Sequence, residues 1–187
     1  MDREQKEIVQ EFFSNDAENI FEKIEKFSSL MIQYSCAVRE IRTKFEVLNE
    51  ELSFRAGRNP IESISSRIKK PVSIAEKLKR RGIEPTLEAI SSSLNDVAGI
   101  RVVCSFIDDI YRVADMLAKQ DDITVVQIKD YIKKPKQNGY RSYQMIVEVP
   151  VFFSESKLLT RVEIQFRTAA MDFWASLDHS MKYKKQS

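Results

Sequence analysis

The chain has 187 residues, 43% of them hydrophobic, with 30 basic against 28 acidic side chains and a formal net charge of +2. That length supports one domain with a proper core, and the near-neutral balance excludes binding of polyanions by bulk charge, so any nucleotide site must come from local clustering. No uncharged apolar run is long enough to span a membrane and the start, MDREQKEIVQ, has no signal-peptide pattern, so a cytoplasmic protein is expected. Two cysteines, Cys36 and Cys104, lie in apolar surroundings without metal-ligand spacing and read as buried reduced thiols. The single histidine, His179, falls in a helical pattern and reads as a packing or hydrogen-bonding residue, which leaves acid, base and metal-binding roles to carboxylates.

Residues 4–13, then 16 to about 51, repeat apolar side chains at helical spacing (Ile20, Ile24, Phe27, Tyr34, Val38, Ile41, Phe45, Leu48, Leu52), with Asn15 or Asp16 as a cap. The pattern predicts an amphipathic helix covering a sheet or a partner chain. FRAGRNPIE, with Gly57 and Pro60, ends it. Ile61, Ile64 and Ile68 then lead an extended segment on which Arg67 and Lys69 share a face. Pro71 and Ser73 open the helix SIAEKLKRRG, closed at Gly82, with Lys77 and Arg81 one turn apart and Arg80 adjacent. A basic strand feeding a basic helix makes a polyphosphate pocket or, equally, a solvated face; it is not a Walker loop, since no GxxxxGK run occurs.

NDVAGIRVVCSF, from Asn95 to Phe106, places Asp96 in a turn and Gly99 before a buried strand of Ile100, Val102, Val103 and Cys104. Arg101 within that strand must be paired or reach a site. Asp108 begins an amphipathic helix, and Ile123 to Ile128 forms a strand. Tyr143 to Val151 is a further strand and Phe152 to Leu159 a hairpin connection. In the last strand, RVEIQFRT, Val162, Ile164 and Phe166 face one way and Arg161, Glu163, Gln165 and Arg167 the other. Should it lie beside the strand of Arg101, Glu163 approaches Asp96. A helix, AAMDFWASLDHSMKYKK, follows, with Trp174 and Leu177 as core. The whole predicts an α/β or α+β mixed sheet flanked by helices.

The most distinctive stretch is Lys129 to Val147, KDYIKKPKQNGYRSYQMIV. It turns at Asn138-Gly139 and holds Tyr140 just past the corner, beside Lys133, Lys134, Lys136 and Arg141. An aromatic ring among cations suits a base stacked above phosphates, whereas the same loop alone reads as a solvated basic hairpin. Asp96 and Glu163 held near these cations fit Mg²⁺-assisted transfer between two nucleotides, chemistry that needs no histidine.

SRIKKPVSIAEKLKR, NDVAGIRVVCSF, KDYIKKPKQNGYRS and VEIQFRTAAMDFWASLDHSMKYK, in that order, resemble the synthetase domain of RelA/SpoT homologues, and most of all the small alarmone synthetases. The resemblance runs from about Phe54 to Lys184 and implies a synthetase domain over 54–187 after an N-terminal helical segment, 1–53, on a nucleotidyltransferase-like mixed sheet. It implies transfer of pyrophosphate from ATP to the 3′-hydroxyl of GDP or GTP, giving (p)ppGpp. By resemblance, Arg67 and Arg101 clamp adenine; Lys69, Ser73, Lys77 and Arg80 contact the ATP phosphates; and Asp96 and Glu163 are the catalytic pair and hold Mg²⁺. Tyr140 is the acceptor platform, with Lys136 and Gln165 nearby. Toxic relatives on the same fold that pyrophosphorylate the 3′ CCA end of tRNA are the alternative, with the Lys133–Lys136 loop as the RNA-facing surface; a nucleotide-binding module without turnover is a third reading. The terminal helices are the expected surface for a second copy or an antitoxin partner. The hydrolase half of the long homologues has no counterpart here, so alarmone degradation is not expected. After GYRSY the family carries His; here Gln144 stands in that place, on the acceptor side.

Overall fold

The computed structural model describes residues 20–184. The expected helix over 4–13 and the caps at Asn15 or Asp16 lie outside the described residues. Helix α1 (Ile20–Ala56) is the long N-terminal helix, and its fully buried Ala37, Ile41 and Phe45 recur every fourth residue, the spacing of one helical face. It runs several residues past the sequence expectation because nothing before Gly57 breaks it. Gly57, at φ 65°, supplies the left-handed turn, and its N–H closes on the Ser53 carbonyl at 2.9 Å.

Strand β1 (Ile61–Ile68) is followed by α2 (Pro71–Arg80), α3 (Leu87–Ser93), β2 (Ala98–Cys104), α4 (Ile107–Ala118), β3 (Thr124–Asp130), β4 (Tyr143–Phe152), β5 (Lys157–Thr168) and α5 (Ala169–Lys184). Helix α3 is absent from the sequence expectation: its seven residues end in three serines and show too little periodicity to announce a helix. Thr86 nonetheless caps it, its side chain accepting from the Ala89 N–H at 3.0 Å. Strand β5 begins at Lys157, so the β4–β5 connection shrinks to a tight turn in which the Phe153 N–H reaches the Ser156 carbonyl at 2.8 Å.

The five strands form one mixed sheet in the order β1-β2-β5-β4-β3, with β2 and β5 parallel and every other pair antiparallel. One face is apolar. Helices α1 and α4 cover it, with Phe45 set edge-on to Phe166 at 5.6 Å and Tyr111 edge-on to Tyr143 at 5.3 Å. Ile100, Val102, Ile164, Phe166 and Met145 fill this layer. Val162, Ile164 and Phe166 do point to the core, as the alternation of the last strand requires.

Three expectations about packing are corrected. Trp174 and Leu177 are 36% and 48% exposed, not core: α5 touches β5 and β2 near its start and buries Met171 there, while its later turns lie outside the sheet. His179, farther along α5, is exposed for the same reason. Cys36 is only half-buried; Cys104 is buried, and burial pushes its thiol up to about 12, so it stays protonated.

Candidate active site

The second face of the sheet is polar, and strand register explains how distant residues meet on it. Ser65 pairs with Arg101, Arg101 with Gln165, Gln165 with Gln144 and Gln144 with Lys129, a single row crossing all five strands. Two residues along each strand runs a second row: Arg67, Gly99, Glu163, Ile146 and Gln127. Because side chains alternate with period two, both rows project to the same side, away from α1 and α4.

Two adjoining cavities open there. The first, about 170 Å³, is lined by Ser65, Ser66, Arg67, Asp96, Gly99, Ile100, Arg101, Glu163 and Gln165. The second, about 140 Å³, is lined by Lys77, Arg81, Asn95, Asp96, Gln127, Lys129, Gln144, Ile146 and Glu163. Asp96 and Glu163 belong to both and form the wall between them. The parallel β2–β5 pairing thus brings Glu163 beside the segment that carries Asp96.

Asp96 sits at the entrance to β2, 17% exposed. Its Oδ2 accepts from Lys77 Nζ at 2.7 Å and from Lys69 Nζ at 3.1 Å. Burial pushes its carboxyl up, but the hydrogen bonds and charges of Lys77 and Lys69 together outweigh this and hold it below the ordinary 3.8. Asp96 Oδ1 is buried and accepts nothing among the described residues. That orphaned oxygen, on a residue that lines both cavities with Glu163, is what a cation would satisfy. No group of three or more His, Cys, Asp or Glu gathers among the described residues, so a cation at Asp96 and Glu163 would need ligand oxygens beside the two carboxylates. Mg²⁺ is commonly held in this way, by one or two carboxylates and substrate phosphates.

The loop between β3 and β4 lines neither cavity; it reaches the second through the contact of Gln144 with Tyr140. Asp130 Oδ1 accepts the N–H groups of Ile132 and Lys133, both at 3.0 Å, and the Gly139 N–H meets the Lys136 carbonyl at 2.8 Å. Gly139 is favoured by its φ of 82°, and the Trp174 ring of α5 packs beside it, where an added Cβ would make an ordinary contact at 3.4 Å. Tyr140 follows, half-buried. Of the four cations expected near it, Lys136 lies over its ring at 5.0 Å and over that of Tyr131 at 4.6 Å. Lys133 lies over Tyr111 instead, and Arg141 reaches the Ile132 carbonyl. The second cation on Tyr140 comes from β5: Arg167 stands 5.2 Å from its ring centroid and donates to its hydroxyl at 2.9 Å. Gln144 donates to the same hydroxyl at 3.4 Å. Burial would push the phenol up, but Ser142 and Arg167 outweigh it and bring it below its ordinary value of 10.0.

Among the residues expected at a site, Arg67, Asp96, Arg101, Glu163 and Gln165 share the first cavity, and Lys77, Asp96, Gln144 and Glu163 the second; Lys69 joins through Asp96. Lys136 and Tyr140 connect through Gln144 and Arg167. Ser73, in the first turn of α2, and Arg80, exposed near its end, line neither cavity. Arg81, expected on the basic face of α2, lines the second cavity, and Asn95, Gln127, Lys129, Arg167 and Asp172 are additions. Gln127 and Lys129 could have been found by alternation along β3, and Arg167 by its shared face with Glu163 and Gln165. Asp172 carries no such signal, because its place depends on how α5 turns back over β2.

A polar sheet face with two adjoining cavities, a shared carboxylate pair and a cation-flanked tyrosine nearby has the chemistry to take two anionic, base-bearing ligands. The family profile described as "Region found in RelA / SpoT proteins" matches residues 66–187, and the chain belongs to that family. It is 43% identical over 161 residues to the GTP pyrophosphokinase YwaC of Bacillus subtilis, an alignment covering 86% of this chain and 77% of that one. The crystal structure of small alarmone synthetase 2 from Bacillus subtilis superposes with a TM-score of 0.76 at 42% identity, covering 86% of this chain and 82% of the other. Small alarmone synthetase 1 from the same organism, bound to its product pppGpp, superposes with a TM-score of 0.78 at 37% identity, covering 87% and 84%. The mixed sheet flanked by helices is therefore the fold of the small alarmone synthetases.

Proposed function

We propose that the protein is a GTP pyrophosphokinase that transfers pyrophosphate from ATP to the 3′-hydroxyl of GDP or GTP, making (p)ppGpp. The observation that carries this is the carboxylate pair shared by two cavities, which lets a donor on one side and an acceptor on the other meet at a single point. Kinship with a GTP pyrophosphokinase and with a synthetase bound to pppGpp supports the choice of guanine acceptor.

In this reading the first cavity takes the donor. Arg67 and Arg101 stand on neighbouring strands at its rim, where guanidinium planes can hold a purine between them. Lys69 and Lys77 converge on Asp96 and bring positive charge to the ATP phosphates where the two cavities meet; Ser73 and Arg80, on the helix of Lys77 but outside both cavities, would reach only phosphate oxygens that project beyond them. Tyr140 stacks the acceptor base, Lys136 meets its phosphates, and Gln144 and Gln165 border its path. The acceptor 3′-oxygen attacks the β-phosphorus of ATP. The bond from that phosphorus to the α,β-bridging oxygen breaks, AMP leaves, and the hydroxyl proton passes to Glu163. Asp96 and Glu163 would hold Mg²⁺, which supplies neutralisation of charge on the transferring phosphates.

No helix among the described residues is long and apolar enough to cross a membrane. The test is purified protein with γ-labelled ATP and Mg²⁺, offered GDP, GTP, AMP and deacylated tRNA separately. Label is expected on GDP and GTP. Label on tRNA alone would assign the Lys133–Lys136 loop to an RNA backbone, and label on none would reduce the protein to a nucleotide-binding module.

A further inference from the structure

Where α5 and the β3–β4 loop converge, two residues that the proposed mechanism does not use, Arg167 and Asp172, link residues that it does. Asp172, in the first turn of α5, shares one carboxylate oxygen between two guanidinium groups: Oδ1 stands 3.1 Å from Arg167 Nη1 and 3.3 Å from Arg101 Nη1. Arg167 carries the chain onward, donating through Nη2 to the Tyr140 hydroxyl at 2.9 Å and to Gln165 Oε1 at 3.2 Å. Arg101 lines the first cavity, and Tyr140 joins the second through Gln144. A residue of α5, whose own face lines neither cavity, thus stands between groups that serve both.

Charge decides what this arrangement does. The Arg167 side chain is only 7% exposed, and that of Arg101 is 41% exposed. Two guanidinium groups this close repel each other, and burial together with the Arg167 charge lowers the Arg101 pKa, while Asp172 works against that fall. One carboxylate therefore compensates two cations. Arg167 lies too deep to turn toward water, so it has the stronger claim on Asp172, and the half-exposed Arg101 is the partner free to move. The Nε atoms of both arginines are buried without a partner among the described residues, so neither guanidinium is fully held by protein.

We infer that Asp172 is a positioning residue that couples the donor and acceptor sides, holding Arg101 over the first cavity and, through Arg167, fixing the Tyr140 hydroxyl at the second. A ligand that draws Arg101 outward leaves Asp172 wholly to Arg167, which tightens the hold on Tyr140. Donor binding thereby orders the acceptor platform. This inference rests on the assignment of Arg101 to the donor and Tyr140 to the acceptor.

The experiment uses the full chain and measures KM for ATP and for GDP, kcat, melting temperature, and calorimetric affinity for a non-hydrolysable ATP analogue with and without GDP. Asp172→Asn keeps the shape and removes the charge. It is expected to raise both KM values by about fivefold or more, as the loss of a charge-assisted contact implies, and to abolish the mutual tightening of analogue and GDP. Asp172→Glu, which keeps the charge, should recover most of both effects. In an Arg101→Ala background Asp172→Asn should add nothing to KM for ATP while still raising KM for GDP. An Asp172→Asn effect on GDP alone, or an ATP effect that persists without Arg101, would overturn the coupling. Unchanged KM for ATP in Arg101→Ala would overturn the donor-side assignment and the coupling with it. Should Asp172→Asn not fold, mutual tightening that survives in Arg101→Ala, where the link is cut on the more exposed side, would overturn the proposal equally.

Discussion

Replacing Asp96 with Asn separates the two tasks the structure gives this carboxylate. In the resting protein it holds two ammonium groups, at 2.7 and 3.1 Å, whose side chains are only 22% and 14% exposed. Removing its charge leaves Lys69 and Lys77 close together without a counter-ion. A part-buried cation that loses its partner costs up to several kcal/mol, but both lysines end in flexible stems that can turn toward the cavity, so about 1–3 kcal/mol is expected. For a domain of this size that lowers Tm by roughly 3–10 °C and leaves the fold intact. The effect on transfer is larger, because a carboxamide lacks the charge to hold a divalent cation: kcat should fall by at least about a hundredfold. The sign of the pH dependence follows from the depressed folded pKa. The stabilisation from Asp96 is fully present above its unfolded value near 3.8 and is lost as pH falls through the lower folded value. The Tm difference between wild type and Asp96→Asn should therefore be constant over about pH 5–8 and shrink below about pH 4. Thermal melts across that range and steady-state transfer from γ-labelled ATP to GDP measure both quantities. Near-normal turnover of Asp96→Asn in Mg²⁺ would refute the site assignment; an unchanged Tm at neutral pH would refute the Lys69–Asp96–Lys77 cluster.

Tyr140→Ala is expected to lose about tenfold or more in acceptor efficiency and Tyr140→Phe to keep much of it, because the ring face carries the stacking; equal rates for Ala and wild type would reduce Tyr140 to a loop residue. Tyr140→Phe should, however, release Arg167, seen as a raised KM for GDP at nearly constant kcat. Gln144→His places a titratable ring between Gln165 and Lys129, beside the Tyr140 hydroxyl, and is expected to raise kcat by about tenfold or more. A His variant slower than wild type on GDP, GTP and tRNA alike would show that Gln144 is adapted to its own acceptor.

Much of the sheet was legible because β-strand alternation is a strong signal when one face is buried. Val162, Ile164 and Phe166 point to α1 for the same reason that Glu163, Gln165 and Arg167 point away from it, so reading one set correctly reads the other. The argument that Arg101 must be paired also held, and Asp172 is its partner. The partner's identity was not legible, since a contact between β2 and α5 depends on the path of a helix whose sequence is apolar on more than one side. The same ambiguity misplaced Trp174: a large aromatic at helical spacing reads as core, yet here it covers Gly139 at the rim of the site. Helix α3 stayed hidden because a threonine cap is a local signal and three serines obscure the periodicity after it.

Strand order explains why these residues form one site. With β1 and β2 antiparallel and β2 and β5 parallel, the end of β1, the start of β2 and the middle of β5 lie level, so Arg67, Gly99 and Glu163 fall in one row with Asp96 just before it. Had β5 run antiparallel to β2, Glu163 could share that row only by a different register, and its neighbours would reverse: Gln165 and Arg167 would extend toward Asp96 and not toward Tyr140. The parallel step sends Gln165 and Arg167 in the direction of Arg101 and Val103, to the end of the sheet where the β3–β4 loop and α5 converge. Asp96, Glu163, Lys69 and Lys77 are thereby gathered at one end of the polar face, and Tyr140 at the other, with Arg101 and Gln165 between them. In the proposed reading the transferring phosphates lie at Asp96 and Glu163, with adenine on the β1–β2 side at Arg67 and Arg101 and the acceptor base farther across the sheet at Tyr140, which leaves the acceptor oxygen and the leaving oxygen to line up at the phosphorus between them.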